Sequence, residues 1–254
     1  MTPWVLLRGL TREAGHWGAF PAQLSLAMRG APVVALDLPG AGRLHRMHSP
    51  LQVDAIAEHC REALRARSPA PRYHLVGLSL GGMVAAAWAV RWPEEVAACV
   101  LVNTSLRPFS ALQARLRPDR WPSLLRVLVA GDARQAERLV LQLTSSSPER
   151  HRGAIDEWVA IRATRPVTSS NAVRQLIAAA VYRHTGPAPS VPVLVASGAR
   201  DSLVDPACSA ALARAWGVEH IVHPHAGHDL PLDEGPWLAA RMAAWIAATE
   251  RGAS

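Results

Sequence analysis

A G-x-S-x-G pattern at residues 77–81 constrains the fold of this chain more than any other feature. Residues 73–76 before it are mostly apolar and lie just after Pro71, which is typical of a buried strand. Residues 82–90 after it are small and apolar and predict a buried helix. A serine on so sharp a strand-to-helix turn takes a strained backbone. We therefore expect the hydroxyl of Ser79 to stand above the edge of a sheet.

The chemistry of such a serine requires two partners elsewhere in the chain. A serine hydroxyl becomes a nucleophile only when a base removes its proton, and an acid must orient that base. Gly77 and Gly81 let the strand and the helix cross closely, and the start of the helix directs free N–H groups toward a developing oxyanion. Ser79 therefore predicts an acid and a histidine that follow it in chain order.

Asp201 is the predicted acid. It follows an apolar strand pattern at residues 191–196, so it should lie at the same sheet edge as Ser79. Asp205 is the alternative, although the adjacent Pro206 favours a role for Asp205 at the start of the next helix.

His228 is the predicted base, because it lies in a loop after the last predicted strand and Gly227 lets that loop turn. His225 is a possible substitute. Together with His220 and His223 these histidines also allow a metal site, but no cysteine or second carboxylate cluster supports one. We expect neither a metal ion nor a cofactor.

Two backbone N–H groups are predicted to form an oxyanion hole. One belongs to Leu80, directly after the serine, and the other to the loop after the first strand. In that loop Leu10 is the natural donor, since Gly9 lets the backbone approach closely.

The composition indicates one large globular α/β domain. The chain has 254 residues, of which 50% are hydrophobic, and its longest apolar run, residues 83–90, is too short to cross a bilayer. Its first residues carry no signal-peptide pattern, so we expect a cytoplasmic protein that does not act on membranes. The three cysteines have neither disulfide nor metal spacing. All 27 basic residues are arginines, but they are dispersed and no nucleic-acid-binding motif accompanies them, so we expect no nucleic-acid partner.

Strand and helix patterns alternate along the chain, which favours a mostly parallel sheet with helices on both faces. The predicted strands are residues 4–7, 33–36, 73–78, 98–102, 191–196 and 219–222. The predicted helices outside the long insertion are residues 23–28, 53–67, 82–92, 206–216 and 237–249. From 106 to 190 only helical patterns appear, and we interpret this segment as a helical cap on a core formed by 1–105 and 191–254.

These features resemble the α/β-hydrolase superfamily over essentially the whole chain. The resemblance rests on five short motifs: residues 8–10, 37–42, 77–82, 198–201 and 227–228. Within the superfamily the chain is similar to small capped carboxylesterases of the pimeloyl-carrier-protein methyl ester esterase type. The resemblance implies a serine hydrolase that cleaves esters through an acyl-enzyme. Hydrolysis of C–C bonds or enol-lactones on the same fold, and a non-catalytic ligand-binding member, are the alternatives.

The chain departs from the superfamily at Arg8, where members usually have histidine. Arg8 is either a structural replacement or a partner for a substrate carboxylate. Trp17 and Asn103 are further candidates for substrate binding, since the first lies in the loop where members often carry an aromatic residue and the second follows the strand before the cap. Core packing is the alternative for Trp17.

The cap carries the whole formal charge of the chain. Thirteen arginines against six acidic residues give residues 106–190 a charge of +7, which equals the charge of the full sequence. Such a surface is either an ordinary solvated face or a docking face for an acidic acyl carrier protein or another anionic partner.

Overall fold

A computed structural model of the chain, describing residues 1–252, contains one sheet of six strands in the order β2-β1-β3-β4-β5-β6. Every strand pairing is parallel. The strands are β1 (Trp4–Leu7), β2 (Val33–Leu36), β3 (Tyr73–Leu78), β4 (Val96–Val102), β5 (Val193–Gly198) and β6 (Glu219–His223). The predicted α/β class with a mostly parallel sheet is confirmed.

Ten α-helices accompany the sheet in the described residues. They are α1 (Phe20–Ala27), α2 (Val53–Arg67), α3 (Leu80–Arg91), α4 (Leu112–Arg115), α5 (Trp121–Val129), α6 (Ala133–Thr144), α7 (Ala154–Thr164), α8 (Ser169–Val181), α9 (Ala207–Trp216) and α10 (Leu230–Gly252). Within residues 1–252, no helix has the combination of length and apolar character that a membrane span requires.

Both faces of the sheet are covered, as the side-chain alternation along β1 shows. Val5 and Leu7 point into one apolar layer, which also contains buried residues of α2 and α3. Trp4 and Leu6 point into the opposite layer, with buried residues of α1 and α10. This arrangement confines the polar loops to the ends of the strands. We therefore expect a site at the strand ends rather than on a face of the sheet.

The segment between β4 and β5 contains helices α4 to α8 and no strand longer than one isolated bridge. It lies where the cap was predicted. A small apolar cluster of Leu141, Ile155 and Trp158 joins α6 to α7. By contrast, α5 has no buried residue. Within this segment, α5 packs against α6 and α6 packs against α7, although their shared apolar core is small.

Several element bounds differ from the sequence prediction, among them those of β4, β5 and the last helix. β4 begins at Val96 and β5 extends to Gly198, since both strands continue into residues that also pair in the sheet. The last helix begins at Leu230 and is interrupted by a non-helical Glu234. This interruption precedes Pro236, which has no N–H to donate and restricts the residues before it.

Candidate active site

Ser79 lies in the strained turn that the sequence predicts between β3 and α3. Its φ of 56° and ψ of −116° are unusual for a residue with a side chain. Two hydrogen bonds from β4 and its following loop hold the turn: the Ser79 N–H donates to the Val102 carbonyl at 2.9 Å, and Thr104 Oγ1 donates to the Ser79 carbonyl at 2.7 Å. The rest of the fold thus fixes this conformation.

The glycines around Ser79 are required by close approach of the backbone. A Cβ atom on Gly77 would lie 2.2 Å from the Gly81 carbonyl oxygen, and one on Gly81 would lie 2.0 Å from the Leu7 carbonyl oxygen. Real Cβ atoms do not come so close to backbone, so strand and helix cross at this distance only with glycine. On the other side, a Cβ on Gly9 would lie 3.2 Å from Ser79 Cβ, which places the first loop against the serine.

Asp201 and His228 form a buried pair. His228 Nδ1 and Asp201 Oδ2 are 2.7 Å apart, and the residues are 5% and 3% exposed. The other carboxylate oxygen of Asp201 accepts the N–H groups of Leu203 and Val204. The alternative acid, Asp205, instead accepts the Ala207 N–H at the start of α9, which is the capping role that its neighbour Pro206 suggested.

The pKa of His228 is raised from its ordinary value. Burial alone would lower this pKa, but the charge of Asp201 and the hydrogen bond to it outweigh burial, with a smaller contribution from Asp229. The other histidines of the predicted cluster do not hydrogen-bond to the Asp201 carboxylate and have hydrogen-bond partners of their own. His220 lies 2.9 Å from Ser197 Oγ, and His223 accepts the backbone N–H groups of His225 and Ala226. In residues 1–252 no three His, Cys, Asp or Glu side chains are arranged to hold a metal ion.

The loop that carries His228 is anchored from two directions. Asn103 Nδ2 donates to the carbonyls of Gly227 and His228 at 3.0 and 2.7 Å. From the other side, Asp233 accepts the Gly227 N–H at 2.7 Å and also the Ser145 hydroxyl, which follows α6. Asn103 and Asp233 thus fix the imidazole relative to the sheet and the overlying helices. Sequence analysis missed Asp233, because nothing in its local pattern marks a carboxylate that bonds to residues so distant in the chain.

Arg8 is bound by a carboxylate of the protein itself. Its guanidinium makes a bidentate pair with Asp229, at 3.0 and 2.6 Å, and lies over the Trp17 ring. Burial alone would raise the pKa of Asp229, but the Arg8 charge overcomes burial and lowers it. Of the two roles predicted for Arg8, this geometry favours the structural one, since the pair holds the residue that follows His228. Asp229 is a second residue that sequence analysis missed.

A mainly apolar cavity of about 190 Å³ lies over Ser79. Ser79, His228 and the two predicted oxyanion residues Leu10 and Leu80 all line it. Neither the Leu10 N–H nor the Leu80 N–H donates to a described residue, so both remain available to a ligand. Ser79 Oγ likewise makes no hydrogen bond to residues 1–252, a common condition of such serines without substrate. The overlying helices contribute apolar side chains, among them Leu116, Leu124, Val127, Leu143 and Leu176.

Two of the predicted substrate-binding residues lie away from this cavity. Trp17 is buried in the layer with α1 and α10, where it stacks on Phe20. Asn103 is used in positioning the His228 loop, as described above. Of the three candidates only Arg8 is part of the cavity wall. The correction for Trp17 and Asn103 has one cause: proximity along the chain to the sheet edge does not decide which side of a loop faces the ligand.

The sequence matches known proteins along most of its length. Residues 3–235 match the family of the α/β-hydrolase fold. Among curated relatives, the protein RutD of Variovorax paradoxus, which is named for carbamate hydrolysis, is 32% identical over 88% of this chain and 84% of its own. A pimeloyl-[acyl-carrier protein] methyl ester esterase of Aeromonas salmonicida is 29% identical over 86% of this chain and 84% of its own.

Solved structures show the same fold at lower sequence identity. A thermophilic esterase from Thermogutta terrifontis superposes with a TM-score of 0.77 at 23% identity, covering 98% of this chain and 90% of the esterase. The enol-lactonase from Burkholderia xenovorans also gives 0.77, at 22% identity, covering 97% of this chain and 92% of the enzyme.

Proposed function

We propose that this chain, which belongs to the α/β-hydrolase family, cleaves carboxylic esters with Ser79 as nucleophile, His228 as base and Asp201 as orienting acid. Esterases among its relatives and structural neighbours support an ester hydrolase. The observation that carries the assignment of residues is the buried His228–Asp201 pair, which shares one cavity with a serine in a strained turn.

In this mechanism Ser79 Oγ attacks the ester carbonyl carbon as its proton passes to His228 Nε2. The imidazolium is stabilised by Asp201, and it then protonates the departing alcohol as the carbon–oxygen bond breaks. A water molecule hydrolyses the acyl-enzyme by the same steps, with its proton passing to His228. Asp201 holds Nδ1 as the donor, so Nε2 is the nitrogen that accepts the serine proton.

The negative charge on the tetrahedral oxygen is stabilised by the N–H groups of Leu10 and Leu80. Neither donates to a residue within 1–252, and both residues belong to the cavity wall. The α3 N-terminus begins at Leu80, so its partial positive charge adds to this stabilisation.

The cavity favours an acyl chain of substantial length. Its exposed lining is mainly apolar and comes from the first loop and from α5, α6 and α8. Burial of each methylene is worth about 0.8 kcal/mol. Hydrolysis of an enol-lactone or a C–C bond would use the same serine and histidine, so the choice between these reactions depends on the substrate rather than on the nucleophile.

Covalent labelling separates an enzyme from a ligand-binding protein of the same fold. A fluorophosphonate probe reacts only with an activated serine, so we expect rapid labelling at Ser79 that a peptide map locates. The labelled protein should lose hydrolysis of p-nitrophenyl esters in proportion to occupancy. A protein that is not labelled and hydrolyses no p-nitrophenyl ester would be a non-catalytic member of the fold. Labelling at a different serine would assign the nucleophile to that serine.

A more specific proposal is that the substrate is a methyl ester linked to a carrier protein. The positive charge of residues 106–190 supports this proposal. Four arginines of this segment are exposed and form no ion pair within residues 1–252: Arg107, Arg126, Arg138 and Arg183. An acidic carrier protein would gain attraction from each of them. Such a partner would be met in the cytoplasm, the location that the sequence predicts.

Electrostatic docking of this kind should weaken with salt, because the screening length is only about 10 Å at 0.1 M. We expect kcat/KM on the carrier-linked ester to fall steeply as ionic strength rises, while the value for a neutral p-nitrophenyl ester changes little. The double variant Arg126→Gln/Arg138→Gln should flatten the salt dependence, and Arg241→Gln, on the exposed side of α10, should not. Equal salt dependence for both substrates would contradict carrier docking and leave ester hydrolysis intact.

A further inference from the structure

Three arginines line the cavity over Ser79, and one of them has no counter-ion within residues 1–252. Arg8 is paired with Asp229, and Arg12 Nη1 lies 2.6 Å from the Glu137 carboxylate. Arg115 is 5% exposed, and no carboxylate of residues 1–252 forms an ion pair with it. A buried cation without a counter-ion is costly, and a bound anion relieves that cost.

The protein uses only part of the hydrogen-bonding capacity of Arg115. Nη1 and Nη2 donate to the carbonyls of Ala180 and Ala179, at 3.2 and 2.5 Å, in the last turn of α8. These carbonyls at a helix C-terminus explain how the cation is tolerated. Nε, by contrast, has no hydrogen-bond partner in residues 1–252. Besides the Ala179 carbonyl, Nη2 has Met83 Sδ as a neighbour, at 4.0 Å. Since sulfur is a weak acceptor, the guanidinium keeps a charge and donor capacity that a carboxylate in the cavity can satisfy.

Arg115 and Ser79 line the same cavity, and Met83 lies between them in the contacts that connect the two. Met83, whose N–H donates to the Ser79 carbonyl, is one helical turn from Ser79 along α3, or about 6 Å. The guanidinium lies 4.0 Å from Met83 Sδ, and Ser79, Met83 and Arg115 all line the cavity. Apolar residues such as Leu112, Leu116 and Leu176 line the cavity with it. A chain of several methylenes can therefore span the interval between Ser79 and Arg115.

We propose that Arg115 binds a carboxylate at the far end of the acyl chain, so that the preferred substrate is the half-ester of a dicarboxylic acid. The ester carbonyl lies at Ser79, the methylenes fill the apolar cavity and the free carboxylate pairs with the guanidinium of Arg115. This inference rests on the proposed ester hydrolysis at Ser79. It is distinct from carrier docking, because a carrier-linked ester has no free carboxylate at that end.

The test compares two nearly isosteric substrates, monomethyl adipate and the methyl ester of adipic acid monoamide, which differ in one charge. The readout is the ratio of their kcat/KM values. Arg115→Gln should lower this ratio roughly 10- to 100-fold, the worth of hydrogen bonds to a charged group, mainly through KM of the anionic ester. Arg115→Lys keeps the charge and should give an intermediate ratio. Arg241→Gln removes an exposed charge from α10, away from the cavity lining, and should leave the ratio unchanged.

The ratio separates binding from structural damage, since a loosened α8 would reduce both kcat/KM values together. Equal losses on both substrates, or a ratio that Arg115→Gln does not change, would overturn the proposal while ester hydrolysis stands. If the wild-type protein cleaves no ester, the proposed function fails, and adipate binding then tests the carboxylate site alone. A rise in unfolding temperature with adipate that is lost in Arg115→Gln and kept in Arg241→Gln would support the site. No rise in the wild-type protein would overturn it.

Discussion

Replacement of Ser79 by alanine is expected to lower kcat for ester hydrolysis by about a million-fold, the loss seen when a triad nucleophile is removed. The hydroxyl makes no hydrogen bond to a described residue, so its removal should leave the free energy of unfolding nearly unchanged. The bonds that hold the turn come from Val102 and Thr104 and use the backbone of residue 79, which alanine retains. Stopped-flow and endpoint assays on p-nitrophenyl esters, together with thermal unfolding, measure both quantities.

Ser105 supplies the matched control, because it also lines the cavity and is buried. Ser105→Ala should keep kcat within about tenfold of the wild type, since Ser79 and not Ser105 lies in the strained turn before α3. Retention of a tenth of the wild-type activity by Ser79→Ala would contradict the assignment of the nucleophile. A greater loss in Ser105→Ala than in Ser79→Ala would transfer the role to Ser105.

The parts of this site that could be predicted from the sequence are those with a local cause. The turn at Ser79 needs glycines at fixed offsets, and the contacts of Gly77 and Gly81 show why. The predicted bounds of β1, β2, β3 and α2 agree with the structure, because each is a short apolar or amphipathic run between clear breakers. The order of Asp201 and His228 after Ser79 followed from placing each at the end of a strand.

The parts that could not be predicted depend on contacts between distant residues. Arg8 and Asp229 are 221 positions apart, and no periodicity in either segment links them. Asp233 bonds to the loop after α6 only because the overlying helices fold back onto the sheet edge. The position of Arg115 likewise depends on contacts between distant parts of the chain. In the sequence it is one of thirteen arginines in residues 106–190, and only the fold shows that it is buried beside the cavity.

The two substrate proposals use different arginines for a physical reason. An exposed arginine acts through long-range attraction, which salt screens and which affects encounter more than contact. A buried arginine acts through hydrogen bonds to one anion, which salt affects little and which determine selectivity. Salt dependence and the charged-to-neutral ratio therefore report on Arg126 and Arg115 independently. Both measurements presuppose an active His228.

His228→Ala is expected to lower kcat about as much as Ser79→Ala, roughly a million-fold, because the serine then has no base. The wild-type pH profile carries a second sign of this base. The imidazole must be neutral to accept a proton, and Asp201 raises its pKa against the effect of burial. We therefore expect kcat/KM to rise with pH through a pKa above the ordinary histidine value of about 6.5 and then to level off.

His225 is the matched control, since it lies three residues earlier in the same loop and its side chain is exposed. The loop is held by Asn103 and Asp233 through backbone groups of residues 227 and 228, so His225→Ala should not disturb it. We expect His225→Ala to keep most of the activity and the same rising pH profile. Because the imidazole of His228 is the one that lies against Asp201, a larger loss in His225→Ala than in His228→Ala would show that this pair does not activate Ser79.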